Sequence, residues 1–523
     1  MLFNSFLFLK FFLIFYLLYL LTRNHLKWQN RLLLAASYIF YAAWDWRFLF
    51  LLFFTTFLDF IIAQKIFDSQ SQRQRKALLA LSVVANLGVL GFFKYFNFFT
   101  ENLSFLMEHL GFHGTFKLLR VALPIGISFY TFQSMSYTID VYRRELVPPK
   151  SFWDFSVFVT YFPHLVAGPI LRATYILPQV VNPRKIQREQ VYKGCALIFW
   201  GLFQKVFVAD NLAKIVDPVF NSAGPYDGFL VLTAVYAFAF QILCDFAGYS
   251  DIARGLGKLM GFDIVINFNL PYFAANPREF WKRWHISLST WLRDYLYVPL
   301  GGSRKGKARE YFNLFATMLL GGLWHGASWT FVIWGAYHGI LLITHRMLEP
   351  WLQRIPGPSS AWGRRGWLLI KMIFFFHLVC VGWLFFRAGS ISQAWAMMAG
   401  LAAIPLSWNW ESAFEVLTRL APYLWLLLLA QIACFAKQKL GGVDFCCFPL
   451  RHSERSEESR SLKIEILRQK TPQDDAKNRK YQQNLEVVFD WPIAMRTVFY
   501  VFVFYSMVIY GAETGKEFIY FQF

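Results

Sequence analysis

The chain has 523 residues, of which 56% are hydrophobic, 20% aromatic and only 16% charged. Soluble domains are about 45–50% apolar and about one-quarter charged, so an ordinary soluble enzyme is excluded and an all-α polytopic membrane protein is expected. A net charge of +20 would suit a nucleic-acid binder, but the basic residues lie in short stretches between apolar runs, which is how a multi-span protein is oriented among membrane lipids.

Residues 3–21 read as a first span, and Met1–Leu21 is not a cleavable signal, because Lys10 lies inside the apolar run and no small-residue cleavage site follows. Further apolar runs predict spans near 31–43, 47–64, 77–98, 119–140, 191–209, 227–246, 311–322, 323–345, 367–387, 421–436 and 493–511. Two of the pairs read equally well as single broken helices, so the expectation is about 11–12 spans. Arg23, Lys27 and Arg31 follow the first span, Arg73, Arg75 and Lys76 the third, and Arg143, Arg144 and Lys150 the fifth. A basic region at 254–309 follows the seventh, and Arg346, Arg354, Arg364 and Arg365 follow the ninth. The alternate loops 99–115, 211–226 and 388–420 are poor in Lys and Arg, which places both termini outside the cytoplasm.

Three connecting regions are unlike ordinary loops. Residues 151–174 are apolar but broken by Pro163, Gly168 and Pro169, and read as re-entrant. Residues 267–300 mix Trp281, Trp284, Trp291, Tyr295 and Tyr297 with Arg278, Lys282, Arg283 and Arg293 at helical spacing, which predicts a helix lying at the cytoplasmic interface. Residues 437–485 are polar, of mixed charge and almost free of aromatics, and read as a disordered cytoplasmic insertion without function of its own. The expected division is a membrane core over 1–436, this insertion, and a last span with a short periplasmic tail over 486–523.

The residue most at odds with its surroundings is His325, within Gly321-Gly322-Leu323-Trp324-His325-Gly326 in the apolar stretch 311–345. An ionisable side chain at membrane depth usually faces a cavity or a polar path, and imidazole moves protons near neutral pH. The Gly322/Gly326 and Gly335/Gly339 steps favour close helix packing. On a single helix over 323–345, His338 and His345 share a face and His325 lies about 140–160° away, so the three would not converge on a metal.

The six cysteines (Cys195, Cys244, Cys380, Cys434, Cys446 and Cys447) offer neither metal spacing nor a disulfide framework. With no serine elbow, phosphate loop or activated cysteine in the sequence, His325 reads either as a general base on an acceptor hydroxyl or as a packed histidine bonded to a carbonyl. Arg278, Lys282, Arg283 and Arg293 could hold the phosphates of a cytoplasmic acyl carrier such as coenzyme A, or serve only as positive-inside anchors. His285, His338 and Asn269 are further candidate donor or channel contacts. Their plain readings are interfacial packing, a polar tip near a helix end, and turn formation.

Leu323-Trp324-His325-Gly326-Ala327-Ser328-Trp329-Thr330-Phe331, continuing to Trp334-Gly335-Ala336-Tyr337-His338-Gly339, resembles the signature of membrane-bound O-acyltransferases. Phe280-Trp281-Lys282-Arg283-Trp284-His285-Ile286-Ser287-Leu288-Ser289, Asn267-Phe268-Asn269-Leu270-Pro271-Tyr272 and Tyr295-Leu296-Tyr297-Val298-Pro299-Leu300-Gly301-Gly302 extend the likeness. Leu123-Pro124-Ile125-Gly126-Ile127-Ser128-Phe129-Tyr130, Phe162-Pro163-His164-Leu165-Val166-Ala167-Gly168-Pro169-Ile170 and Gly382-Trp383-Leu384-Phe385-Phe386-Arg387-Ala388 complete it, over about 85–390. The subgroup it most resembles is the bacterial alginate O-acetyltransferase type, related to teichoic-acid D-alanyl transferases; the 437–485 segment departs from that pattern. The resemblance implies a multi-span funnel or tunnel around a required histidine, here His325. It implies an acetyl group taken from a cytoplasmic donor such as acetyl-coenzyme A, used as substrate with no bound cofactor. The group would cross the bacterial inner membrane to a secreted polysaccharide, through a periplasmic partner of the SGNH-hydrolase type. A transporter or flippase that forms no bond, and D-alanyl-type transfer to a cell-wall polymer, remain as alternatives.

Overall fold

In the computed structural model, which describes residues 1–111, 120–165, 168–440 and 493–511, every regular element is a helix. Helices α1 (Phe6–Leu21), α2 (Leu26–Asp45) and α3 (Phe48–Asp68) follow one another through short turns. α4 (Gln72–Leu90) passes through a π-helical turn, Gly91–Tyr95, into α5 (Phe96–His109). After α6 (Ile127–Tyr142) come the short α7 (Phe152–Thr160), α8 (Phe162–Leu165) and α9 (Ala173–Val181). α10 (Arg188–Leu202) continues through a second π turn, Phe203–Ala209, into α11 (Asp210–Phe220), and α12 (Gly228–Leu259) follows. The remaining elements are a short 3-10 turn (Pro271–Phe273), α13 (Pro277–Arg283), α14 (Ile286–Leu292), a third π turn (Arg293–Tyr297), α15 (Lys307–His325), α16 (Trp329–Leu352), α17 (Ala361–Arg387), α18 (Ile391–Ala403), α19 (Trp410–Leu440) and α20 (Ile493–Tyr510).

Among the described residues, six helical runs are long and apolar enough to cross a bilayer: 48–68, 72–109, 188–220, 228–259, 361–387 and 410–436. α2, α15 and α16 have 20, 19 and 24 residues. At about 1.5 Å per residue they reach about 30 Å, but they carry more polar residues. The chain is an all-α polytopic membrane protein. Two compact units are distinguished, one over 1–423 with 504–523 and one over 424–503, and within the second Trp425 packs edge-on to Phe502 at 5.4 Å. Most of the insertion expected at 437–485 lies outside the described residues.

Close backbone approach builds the core. A Cβ placed on Gly201 would stand 2.5 Å from the Gly248 carbonyl, and one on Gly255 2.6 Å from that of Gly194. These two pairs, seven residues apart on each helix, seat α10 directly on α12, as small residues allow in lipid. α7 is nine residues and about 14 Å long, too short to cross; with α8 it is largely buried, which fits a re-entrant segment.

Several boundaries differ from the sequence expectation. The fourth span does not end at 98 but continues as helix to His109, and the fifth begins at Ile127, after Gly126 at φ +78°. The stretch 388–420, expected as a loop, contains α18 and the start of α19. The break between the eighth and ninth spans falls at 326–328 and not at 322/323: Gly326 is extended, and the Ser328 side chain caps α16 by accepting from the Thr330 N–H at 3.3 Å. Residues 267–300 do not form one interfacial helix. Pro271 and Pro277 interrupt it, Leu270 and His285 adopt left-handed backbone (φ +48° and +42°), and the segment folds inward, so that Phe280, Trp284, Leu288 and Trp291 are buried.

Candidate functional site

His325 is the last residue of α15 and is 5% exposed. Its ring packs against Trp324 (5.1 Å between centroids), Trp334 (5.0 Å) and Phe386 (5.4 Å), from α15, α16 and α17. The hairpin that carries it closes on glycine. A Cβ on Gly322 would meet the Phe331 carbonyl at 2.3 Å and one on Gly335 the Met318 carbonyl at 2.5 Å, so α15 and α16 are in backbone contact one turn before the histidine.

His325 and His338 do not share a helix, so the rotation expected to separate them does not apply. Both pack on Trp334, whose ring is 5.0 Å from one imidazole and 4.9 Å from the other. His338 is boxed by Phe280 (6.1 Å, parallel), Trp281 (5.2 Å) and Trp334, and both its ring nitrogens are buried without a hydrogen-bond partner among the described residues. His345 is half-buried two turns further along α16. Among the described residues, no three His, Cys, Asp or Glu side chains gather into a metal-binding group.

The second imidazole beside His325 is that of His285, 6.4 Å away between centroids. It is fully buried, and a short strand-like pairing holds it: Ile286 N–H donates to the Asn267 carbonyl (2.8 Å) and Asn269 N–H to the Arg283 carbonyl (2.8 Å). Asn267 Oδ1 accepts from the Ser287 N–H (3.2 Å) and hydroxyl (2.9 Å) and lies 3.2 Å from His285 Nδ1. That oxygen only accepts, so Nδ1 carries the proton and Nε2, which has no partner among the described residues, keeps its lone pair. Ser287 Oγ also accepts from the Ile170 N–H at 3.0 Å, tying the 162–170 motif to the 280–289 motif. A non-glycine residue held in left-handed backbone costs free energy, and such strain concentrates at functional sites.

The basic residues expected to face a donor are not gathered in one place. Arg283 is buried, donating to Glu279 (2.9 Å) and to the Asn269 carbonyl (3.2 Å), with Asn269 itself buried beside it. Arg278 is exposed and 3.6 Å from Glu349, and Lys282 is exposed. Breaking a largely buried pair costs about 3–5 kcal/mol. Arg283→Met is therefore expected to lower the melting temperature of the detergent-solubilised chain clearly, whereas Lys282→Met leaves it unchanged; equal melting of the two variants would refute the structural role of Arg283.

Arginines converge instead around Asp294. Arg172 pairs with its carboxylate (2.6 Å), Arg293 donates to it (2.6 Å), and the Arg143 and Arg172 guanidiniums lie over Tyr295 at 5.3 and 5.4 Å. Burial pushes the Asp294 carboxyl upward, but Arg293 and Arg172 outweigh it and hold the group below its ordinary range. From this cluster an aromatic path runs inward: Tyr295 to Trp291 (5.1 Å), Trp291 stacked on Phe132 (3.8 Å), and Phe132 to Trp324 (5.3 Å), next to His325.

Sequence reasoning passed over one ionisable residue at this site. Lys94, inside the span expected at 77–98, donates to the backbone carbonyls of both Trp324 and His325. Its position in an apolar run carried the same signal as that of His325.

A multi-pass helical membrane protein, with a buried histidine closing one helix of a glycine-packed hairpin and a second imidazole beside it, is the class that fold and site define. Residues 139–381 match the membrane-bound O-acyltransferase family. The chain is 45% identical over 400 residues to a protein of Pseudomonas aeruginosa named "Probable alginate O-acetylase", covering 76% of this chain and 74% of that one. It is 37% identical to the protein of the same name from Pseudomonas fluorescens over the full length of both. A "Peptidoglycan O-acetyltransferase" of Helicobacter pylori is 34% identical, over 74% of this chain and 77% of that one. The chain belongs to the membrane-bound O-acyltransferase family and is an O-acyltransferase.

Proposed function

We propose that this is an inner-membrane O-acetyltransferase that takes an acetyl group from a cytoplasmic thioester, acetyl-coenzyme A or a similar donor, and delivers it for O-acetylation of a secreted, alginate-like polysaccharide. The observation that carries the reading is His325, buried at the end of α15 with the His285 imidazole 6.4 Å away, inside the stretch that matches the family. His325 acts as general base. It takes the proton of the acceptor hydroxyl as that oxygen attacks the acetyl carbonyl, the carbon–sulfur bond breaks, and the proton passes to the departing thiolate. His285 and the aromatic walls exclude water and orient the reacting groups.

Two further observations support the reading. The relatives named above act, by name, on alginate and peptidoglycan, both polysaccharides receiving acetyl groups. The Arg143–Arg172–Arg293 cluster lies on the side that the basic loops make cytoplasmic, and its charge suits the phosphates of a coenzyme A-type donor. An SGNH-hydrolase-type periplasmic partner would complete delivery to the polymer. In the decisive experiment, inverted membrane vesicles carrying the chain receive acetyl-coenzyme A labelled in the acetyl group. Label recovered as alkali-labile ester on polysaccharide is expected; label crossing the membrane while still on its donor would replace the enzyme with a transporter.

A further inference from the structure

An α-helix leaves its last four carbonyls without intrahelical partners, and many helices close on a glycine in left-handed backbone. α15 does not, because Gly326 is extended at φ −161°. Its end is closed by another helix. The Tyr95 hydroxyl donates to the Leu323 carbonyl (2.8 Å), and the Lys94 ammonium donates to those of Trp324 and His325 (the latter at 3.1 Å). The third Lys94 proton goes to Ser128 Oγ at 3.1 Å, in the first turn of α6. Two successive residues reach one helix end because they sit in the π turn Gly91–Tyr95, which inserts one extra residue into the helical register.

The other side of the break is held from the same helix. Asn102 of α5 accepts from the Trp329 indole N–H (2.9 Å) in the first turn of α16, and Phe98 packs on Trp329 at 5.7 Å. The helical run 72–109 thus straps both rims of the 326–328 break. Lys94 has no carboxylate within ion-pair distance among the described residues, and its partners are neutral oxygens. A cation without a counter-ion in a membrane span is costly, and the negative end of the α15 dipole only partly offsets that cost.

We propose that Lys94 is a positioning residue for acyl transfer: it fixes the α15 terminus so that His325 is presented in one geometry. This rests on His325 serving the reaction. The test compares wild type, Lys94→Met, Lys94→Arg and His325→Ala as full-length chains in detergent. Amide hydrogen exchange of peptides covering 319–330 is followed by mass spectrometry, and initial rates are measured with acetyl-coenzyme A and alginate oligosaccharide. Lys94→Met is expected to accelerate exchange in those peptides with the rest of the chain unchanged. It should also lower kcat about 10–100-fold while KM stays within about twofold, as loosened geometry does. Lys94→Arg, which keeps charge and donors, restores both. Unchanged exchange in Lys94→Met, or a loss confined to KM, overturns the proposal. If His325→Ala transfers normally, the base assignment falls, while the exchange result still decides whether Lys94 holds the helix end.

Discussion

Replacing His325 with alanine is expected to reduce acyl transfer about 10²–10⁴-fold, the range that a positioned general base contributes. The histidine is buried against Trp324, Trp334 and Phe386, so alanine also opens a void. His325→Gln is the companion variant, since it fills the space and keeps hydrogen-bonding atoms but cannot accept a proton in this way. Both variants should migrate as monodisperse protein and bind donor with wild-type affinity, while kcat falls in each. Full activity in the glutamine variant would mean that His325 works by packing or hydrogen bonding, and the base would have to be sought elsewhere, with His285 first in line. An active alanine variant would remove His325 from the chemistry altogether.

The second large effect is expected at Gly335. A side chain there would stand 2.5 Å from the Met318 carbonyl, 3.1 Å from Leu319 Cα and 3.2 Å from Gly322 Cα, all of them backbone atoms that cannot rotate away. Gly335→Val must therefore separate α15 from α16, at a cost of about 3 kcal/mol or more on the scale of overpacked cores. The expected result is a sharp fall in folded yield by size-exclusion chromatography, together with loss of transfer. Gly366→Ala in α17 serves as control: nothing lies within 4 Å of its added Cβ, and alanine favours helix by about 1 kcal/mol. Equal folding of the two variants would show that the hairpin is looser than its backbone contacts imply.

Much of this architecture was legible in the sequence because bilayer thickness imposes a length on apolar runs. The runs near 227–246 and 367–387 correspond to α12 and α17, and a histidine in an apolar stretch stood out without any structure. Less legible were features set by partners distant in the chain. The helix break after His325 has no proline or left-handed glycine to announce it; only Ser328 marks it, as an N-cap hidden among tryptophans. The 267–300 segment misled because aromatic and cationic residues recur at helical spacing, while the turn at Leu270 uses a residue type that rarely adopts left-handed backbone. Arg283 looked available to a donor because its partner Glu279 and the Asn269 carbonyl meet it only once the segment folds inward. Lys94 lies 230 residues from Trp324, and no local pattern joins them.

The π turn at Gly91–Tyr95 makes the count of residues there as important as their identity. An in-frame deletion of one codon within it would relax the turn to ordinary α geometry, with the turns on either side keeping close to their present register while the side chains of the turn itself are presented differently. Lys94 and Tyr95 could then no longer both meet α15, although every other residue of the protein remained in the gene. A lesion that looks silent by composition would read, at the histidine, as the loss of two side chains.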